Sequence, residues 1–300
     1  MASDFDEALL HEYDDSTLAG YIENNPRLNA LGGVRYLSPN LVYKAASPNL
    51  QKDAIKSTNL ALQLGIRVPV IERSLSIGYS LYTIMRRVDG TSLIDCWHKL
   101  GWLTTFKLAF QLRQFVRKMP TQTSSTAGGL HTGNFNSIWV EDLYGLPKNA
   151  SSLAVAEYFN FWGNFISPPF GECPKRPKEL DVRFSITAPL FFTHQDMAPR
   201  NLMMDKKDQL WLVDWNLSGW FPIYMEYVGM QNFEIPSTWG WFDRLRWHIF
   251  SWISVGRYET KRKAIVSGHY WSTRFRLGRR EEVLVEGADP NDVNARKPGL

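Results

Sequence analysis

Three short apolar runs between positions 190 and 213 constrain the fold of this 300-residue chain more than any other feature. They are Leu190–Thr193, Leu202–Met204 and Leu210–Val213, and polar links separate them. Runs this short between polar links predict strands rather than helices, because a helix needs a longer periodic segment. The ends of these predicted strands carry His194, Asp196, Asn201 and Asp214.

These polar residues follow the order H-x-D-x-x-x-x-N, with a second aspartate after the third strand. Phosphoryl transfer needs such a set, because one carboxylate must meet the attacking hydroxyl while an amide and a second carboxylate hold Mg²⁺ over the phosphates. The order is that of the catalytic loop and metal-binding strand of kinase-type phosphotransferases. We therefore predict Asp196 as the general base and Asn201 and Asp214 as magnesium ligands.

Each of these residues also has a structural interpretation. Asp196 and Asn201 suit turns, and Asp214 suits a helix N-cap. A carboxylate at the end of an apolar strand nevertheless needs a partner if it points inward, and a metal ion supplies one. His194 is expected to hold the loop through hydrogen bonds to the backbone rather than to move a proton.

The front of the chain is predicted to be rich in strands. Val34–Leu37 and Leu41–Lys44 flank the turn-forming Ser38-Pro39-Asn40, which predicts a hairpin. A helix over 51–64 and a strand over Tyr79–Met85 follow. The layout indicates two lobes with a hinge near 85–89.

Lys44 ends the second strand of the predicted hairpin. A lysine there can reach the α- and β-phosphates of a nucleotide, although a solvated edge-strand lysine has the same pattern. A phosphate-binding lysine needs a carboxylate on the next helix, and Asp53 is the acidic residue near that helix start. Gly32-Gly33 is a candidate loop over the phosphates. The patterns G-x-G-x-x-G and G-x-x-x-x-G-K-[ST] are absent from the sequence.

The rest of the chain is predicted to be mainly helical. Helices are expected over Thr104–Met119 and Ala154–Phe165, and again beyond 219. The tryptophans of this part have three interpretations: a hydrophobic core, the lining of a cleft for a cationic or aromatic substrate, or a membrane-surface helix over 239–253. They are Trp211, Trp215, Trp220, Trp239, Trp241, Trp247 and Trp252.

Composition excludes several functional classes. The net charge of +4 is small and dispersed, which disfavours nucleic acid as a partner. Cys96 and Cys173 are too few for a disulfide framework or a zinc site. The acidic start lacks the apolar stretch of a signal peptide, and no run is long enough to span a membrane. These features predict a soluble cytoplasmic protein, and they carry no signal of oligomeric state.

Two blocks of the sequence resemble a known family. The block over 194–227 is specific and includes Thr193–Asn201, Val213–Trp215, Gly219–Pro222, Tyr224 and Glu226–Tyr227. The front block includes Val34–Lys44, Val68–Val70 and Met85–Leu93. Both are similar to the aminoglycoside/choline-kinase-like phosphotransferase family, especially to its fungal members of uncharacterised substrate.

The resemblance implies an α+β, bilobal protein-kinase-like fold with a small strand-rich N-lobe, a larger helical C-lobe, and ATP and Mg²⁺ between them. It implies the roles predicted above for the base, the two metal ligands and the lysine. It also implies that adenine bonds to the hinge backbone at Arg86 and Val88. The corresponding domains are an N-lobe over 1–88, a C-lobe over 89–280 and a flexible tail over 281–300.

Three residues depart from the family pattern. Gln195 stands where the family commonly has Gly, and Asn216 stands where an acidic residue often follows Asp-Trp. Asp53 replaces a usual Glu and is one methylene shorter, which bears on how Lys44 is positioned and hence on activity.

The leading hypothesis is therefore an ATP-dependent phosphotransferase with an alcohol group, or an amine, as acceptor. The alternative is a catalytically weak, kinase-like nucleotide-binding module, which the short Asp53 and the lack of a Gly-rich loop favour. A protein kinase is disfavoured, because no A-P-E element follows Asp214.

Overall fold

The computed structural model describes residues 5–24, 33–140, 146–163, 182–185 and 189–274. Within them the chain forms an α+β fold with a strand-rich front and a helical back, as predicted. Gly32, Cys173 and the predicted tail lie outside the described residues.

The N-terminal part is built on an antiparallel sheet of four strands in the order β1-β2-β4-β3. The predicted hairpin is confirmed, because β1 pairs with β2 across the Ser38–Asn40 turn. The predicted helix begins earlier than expected, since Pro48 fits the first turn of a helix. The elements are α1 (Asp15–Glu23), β1 (Val34–Tyr36), β2 (Leu41–Ala46), α2 (Pro48–Gln63), β3 (Ile71–Ile77) and β4 (Ser80–Arg86), with a 3-10 turn at Glu7–Leu9.

The C-terminal part consists of helices around two small antiparallel sheets, ordered β10-β7-β6 and β5-β8-β9. The strands are β5 (Gly90–Ser92), β6 (Thr123–Ser124), β7 (Leu190–Thr193), β8 (Leu202–Asp205), β9 (Leu210–Leu212) and β10 (Gly219–Phe221). The helices are α3 (Leu93–Cys96), α4 (Trp102–Lys118), α5 (Ser152–Gly163), α6 (Tyr224–Met230), α7 (Trp241–Val255) and α8 (Glu259–Arg274), with 3-10 turns at Trp97–Lys99, Met119–Thr121 and Pro199–Asn201.

Strand β5 begins directly after the predicted hinge near 85–89, where no strand was expected. Three residues of Gly, Thr and Ser carry no apolar alternation, so their pairing with β8 cannot be recognised from the pattern. The pairing explains the glycine, because a Cβ at Gly90 would lie 2.6 Å from the carbonyl oxygen of Met204. Similarly, β10 precedes the helices where only helix was expected beyond 219.

The main hydrophobic core joins α4, α7 and the strands that carry the candidate site. Trp97, Trp239, Trp247 and Phe250 form an aromatic cluster in it, with ring centroids 5.1–5.8 Å apart. The interpretation of the tryptophans as core is thus confirmed for this group. No helix within the described ranges has both the length and the apolar character that a membrane crossing requires.

Candidate active site

The loop 194–201 joins β7 to β8, and the pairing of β8 with β9 fixes where the loop ends. Leu202 faces Leu212 in this hairpin, and the Val213 N–H donates to the Asn201 carbonyl at 3.0 Å. Asn201 is therefore paired with Val213 through the backbone, and Asp214 follows directly at the same end of the hairpin. The structure thus brings together the two residues predicted as metal ligands.

His194 holds the loop to the end of β9. Its ring is fully buried, and burial lowers the pKa of the imidazole. Its Nδ1 accepts the Asp196 N–H at 3.3 Å, so Nε2 carries the hydrogen and donates to the Val213 carbonyl at 3.1 Å. These bonds match the structural role expected for His194.

Glu226 is a buried carboxylate of α6 that the sequence reasoning missed. It accepts the N–H groups of His194 at 2.6 Å and Gln195 at 3.1 Å. Burial raises its pKa to about 7, against the opposing effect of those two bonds. A lone acid in the apolar stretch Tyr224–Met230 was the available signal, because buried acids need a partner.

Gln195 has a left-handed backbone with φ = +64°. Glycine, which is common at this position in the family that the sequence resembles, adopts this conformation without steric cost. The Gln195 side chain offsets the strain by donating to the carbonyls of Leu217 at 2.5 Å and Asn136 at 3.2 Å. Helix α6 packs directly on this backbone: a Cβ at Gly229 would lie 1.9 Å from the Gln195 carbonyl oxygen.

Asp196, the predicted base, is held by two donors and is 8% exposed. Arg200 Nη2 donates to its Oδ1 at 2.6 Å and Oδ2 at 2.7 Å, and Asn201 Nδ2 donates to Oδ2 at 2.8 Å. Arg200 Nη1 also donates to the Asn232 carbonyl at 2.7 Å. Sequence reasoning had not singled out Arg200, which places a fixed cation beside the proposed base.

Lys44 reaches Asp214 from the other lobe. Its Nζ lies 2.7 Å from Asp214 Oδ1, and the two side chains are 12% and 33% exposed. Asp214 has φ = +65°, a conformation that Asp tolerates better than most residues. The predicted phosphate lysine and metal-binding aspartate thus share one site.

The donor set suits a magnesium ion bound together with phosphates. Asn201 donates through Nδ2, so its amide oxygen, which has no hydrogen-bond partner within the described residues, is left for a cation. No group of three or more His, Cys, Asp or Glu side chains in the described part of the chain is placed to hold a metal. Mg²⁺ in phosphotransferases commonly takes one or two protein oxygens plus phosphate oxygens, which Asn201 and Asp214 can provide.

Asp53 does not contact Lys44. Its buried carboxylate accepts the N–H groups of His131 at 2.6 Å and Thr132 at 2.9 Å, and the Thr132 hydroxyl at 2.6 Å. Gly129 must lack a side chain, because a Cβ there would lie 2.4 Å from this carboxylate. Asp53 therefore ties α2 to the loop over 129–134.

Gln51 is the α2 side chain that faces the neighbourhood of Lys44. Lys44 and Thr83 are cross-strand partners in β2 and β4, so their side chains project from the same face of the sheet. Gln51 Nε2 donates to the Thr83 hydroxyl at 2.6 Å, and its Oε1 is buried without a partner. An amide thus stands on the helix where a carboxylate was expected.

The hinge presents a single free donor at the positions implied for adenine. The Arg86 N–H donates to the Val70 carbonyl at 2.9 Å, which removes it as a donor to a ligand. The Val88 N–H has no partner in the described structure, while its carbonyl accepts from Gly90 at 2.9 Å. Any adenine contact at Arg86 is therefore limited to its carbonyl.

Comparison with known proteins finds solved structures that have a similar fold. No known family model matches the sequence, and no curated protein is similar to it. The ADP-bound aminoglycoside phosphotransferase APH(2'')-Ib matches with 13% identity over 93% of this chain and 94% of its own, at a TM-score of 0.50. APH(2'')-IIa matches in its ternary complex with streptomycin and ATP (12% identity, 94% of both chains, TM-score 0.50). It also matches in its gentamicin complex (11%, 89% of this chain and 88% of that one, 0.51).

The chain has a kinase-like fold. This confirms the α+β, bilobal architecture expected from the sequence. At these identities the likeness concerns the fold alone, and the activity has to be argued from the site.

Proposed function

We propose that this protein is an ATP- and Mg²⁺-dependent phosphotransferase that moves the γ-phosphate of ATP to a hydroxyl, or an amine, of a small molecule. The observation that carries the proposal is the Lys44–Asp214 contact between the lobes, with Asn201 beside Asp214 and Asp196 bonded to Asn201. Similar folds solved with ADP and ATP support the choice of nucleotide. ATP is abundant in the cytoplasm, where we propose that the reaction occurs.

In the proposed reaction Asp196 accepts a hydrogen bond from the acceptor hydroxyl and takes its proton as oxygen attacks the γ-phosphorus, and ADP leaves. Lys44 neutralises charge on the phosphates. A magnesium ion held by Asn201 and Asp214 would supply further neutralisation of the phosphate oxygens. The free Val88 N–H is the proposed donor to adenine.

Membership of the aminoglycoside/choline-kinase-like family, including its fungal branch, is likewise proposed on the 194–227 block. The lobes are assigned to 1–88 and 89–280. Asp53, which the sequence suggested as a partner of Lys44, is proposed instead to fix α2 so that Gln51 faces that lysine.

The test is turnover of ATP by Asp196→Asn. Loss of general-base assistance is expected to lower the rate of phosphate transfer or ATP hydrolysis by about 10²–10⁴-fold. Nucleotide binding is expected to persist, because Asp196 contacts neither Lys44 nor Asp214 in the structure. Asp95→Asn, an exposed aspartate of α3, is the control and should keep the wild-type rate.

The alternative is a nucleotide-binding module with weak or no turnover. The bonds from Arg200 and Asn201 to Asp196, and an amide rather than a carboxylate near Lys44, favour it. MgATP binding without a rate that depends on Asp196 would establish this alternative. Absence of MgATP binding would reject both functions.

A further inference from the structure

A cation and a small aromatic pocket lie on the side of Asp196 that faces the segment after α6. Arg200 links Asp196 to the Asn232 carbonyl, and Phe233, the next residue, forms part of the pocket wall. The segment 229–233 runs directly beneath the catalytic loop, because Gly229 abuts the Gln195 carbonyl. Consecutive Cα atoms are about 3.8 Å apart, so the pocket begins within a short distance of the proposed base.

The pocket is small and largely apolar. Its cavity of about 70 Å³ is lined by Gln231, Phe233, Ile235, Trp239, Arg244, Trp247 and His248. The Phe233 ring packs edge-on against Trp239 and Trp247, with centroids 5.4 Å apart in both pairs. This volume holds several water-sized groups, which together are about as large as one small ring. Aromatic walls favour a flat apolar group.

Charges on this side of the molecule oppose a cationic acceptor. Residues 219–274 contain four acidic and seven Lys or Arg side chains. Three of the four acids are engaged: Glu226 binds the catalytic loop, Asp243 pairs with Arg246, and Glu259 pairs with Arg262. The fourth, Glu234, is exposed, whereas Arg244 and His248 line the pocket and Arg200 stands at the base.

We propose that the acceptor is a hydroxyl compound with a small aromatic or other apolar ring and no positive charge, whose ring occupies the pocket at Phe233 and Ile235. This inference rests on the proposed phosphotransferase function and names the substrate class of its site. Arg244 attracts an anionic group on the acceptor and repels an ammonium group, whereas the charge of Arg200 is balanced by Asp196. Within residues 219–274, a polycationic aminoglycoside finds no cluster of free acidic side chains to hold its amines.

The test compares probes of matched size and different charge. They are para-hydroxymethylbenzoate, benzyl alcohol and para-aminomethylbenzyl alcohol, with kanamycin as a polycation, and their dissociation constants are measured by saturation-transfer NMR on the full chain. The expected order is benzoate tightest, then benzyl alcohol, then the amine, with at least about fivefold between the first and the last. Equal or tighter binding of the amine or of kanamycin overturns the inference.

Two variants locate the binding. Arg244→Glu is expected to weaken the benzoate about fivefold or more and to leave benzyl alcohol unchanged, whereas Arg257→Glu, the same charge reversal on the α7–α8 link, leaves both unchanged. Ile235→Ser is expected to weaken benzyl alcohol. Both pocket residues are exposed, so folding should be preserved. If none of these variants changes binding, the pocket is not the acceptor site.

The same preparations are tested for MgATP binding, which keeps the two ideas separate. MgATP binding together with a preference for cations rejects the acceptor class and leaves the proposed function standing. Ring binding at the pocket without MgATP binding rejects the phosphotransferase.

Discussion

Glu226 holds the backbone at the start of the loop over 194–201. It accepts two successive N–H groups, those of His194 and Gln195, and so holds the backbone where it takes a left-handed turn. Side-chain oxygens that accept adjacent backbone donors fix a loop more firmly than packing does, because each bond is directional. Glu226 therefore positions Asp196 through the backbone of the loop, without a hydrogen bond to Asp196 itself.

The free energy of unfolding is expected to depend on pH through the titration of the Glu226 carboxyl. Burial raises the pKa of Glu226 from 4.5 to about 7, so the folded state binds its proton more tightly than the unfolded state does. The stabilisation by protonation is fully present below pH 4.5 and is lost as the pH rises through 7. Relative to Glu226→Gln, which cannot titrate, the free energy of unfolding of the wild type is expected to fall by about 2.5 kcal/mol between pH 5 and pH 8.

Urea unfolding at several pH values measures this difference. Glu12→Gln, the same change at an exposed position, is the control and should run parallel to the wild type at every pH. A constant offset between wild type and Glu226→Gln would mean that the carboxyl has the same pKa in both states.

Single residues were predictable from the sequence where spacing along the chain encodes the chemistry. Asp196, Asn201 and Asp214 lie within one block, and strand pairing brings their ends together. The contacts of Arg200 and Glu226 were not predicted, because Arg200 depends on a contact with Asn232 and Glu226 lies on a helix, 25 residues after the loop end at Asn201. Such long-range partners leave no periodic trace in a single sequence.

At the scale of elements, α2 divides its polar contacts between the two lobes. Asp53 binds the loop over 129–134, while Gln51 reaches across to Thr83 on β4. No pattern in the sequence distinguishes these two residues, since both lie in the first two turns of the helix. The sequence suggested Asp53 for Lys44 because a carboxylate is the usual partner, whereas the burial of its oxygens against backbone donors is a property of the folded helix.

Removal of the Asp53 carboxylate should loosen α2 from the second lobe. Asp53→Ala leaves the half-buried N–H of His131 and the buried N–H and hydroxyl of Thr132 without an acceptor, which is expected to lower the free energy of unfolding by about 2–4 kcal/mol. Chemical denaturation measures the loss. Asp89→Ala, the same substitution at an exposed residue, should leave the unfolding midpoint unchanged. If Asp53→Ala also leaves the unfolding midpoint unchanged, water replaces the carboxylate as the acceptor of these hydrogen bonds.

At the scale of the whole molecule, three of the contacts that join the lobes lie on elements next to the site. Lys44 meets Asp214, Asp53 meets the loop over 129–134, and the segment after α2 adds to β9, where the Leu212 N–H donates to the Arg67 carbonyl at 2.9 Å. The last two contacts do not involve residues proposed to bind nucleotide. The lobes are thus held in place while the Lys44–Asp214 pair is the contact that ligand binding must rearrange.

Magnesium and ATP are therefore expected to bind together and to stabilise the folded protein jointly. MgATP at ten times its dissociation constant is expected to add about 1.4 kcal/mol, which raises the melting temperature by a few degrees. ATP with EDTA should give a smaller rise, because the carboxylate of Asp214 then faces the phosphates without a cation between them. The increment due to magnesium is the measured quantity.

Asp214→Asn is expected to lose most of that increment, since the metal loses its only proposed carboxylate ligand. Lys44→Met should instead lower the shift with and without magnesium, because its charge acts on the phosphates directly. Asp208→Asn, on an exposed turn before β9 where Asn also tolerates the left-handed backbone, should behave as the wild type. If Asp214→Asn keeps the full magnesium increment, the metal binds elsewhere, and the assignment of Asn201 as a metal ligand is rejected as well.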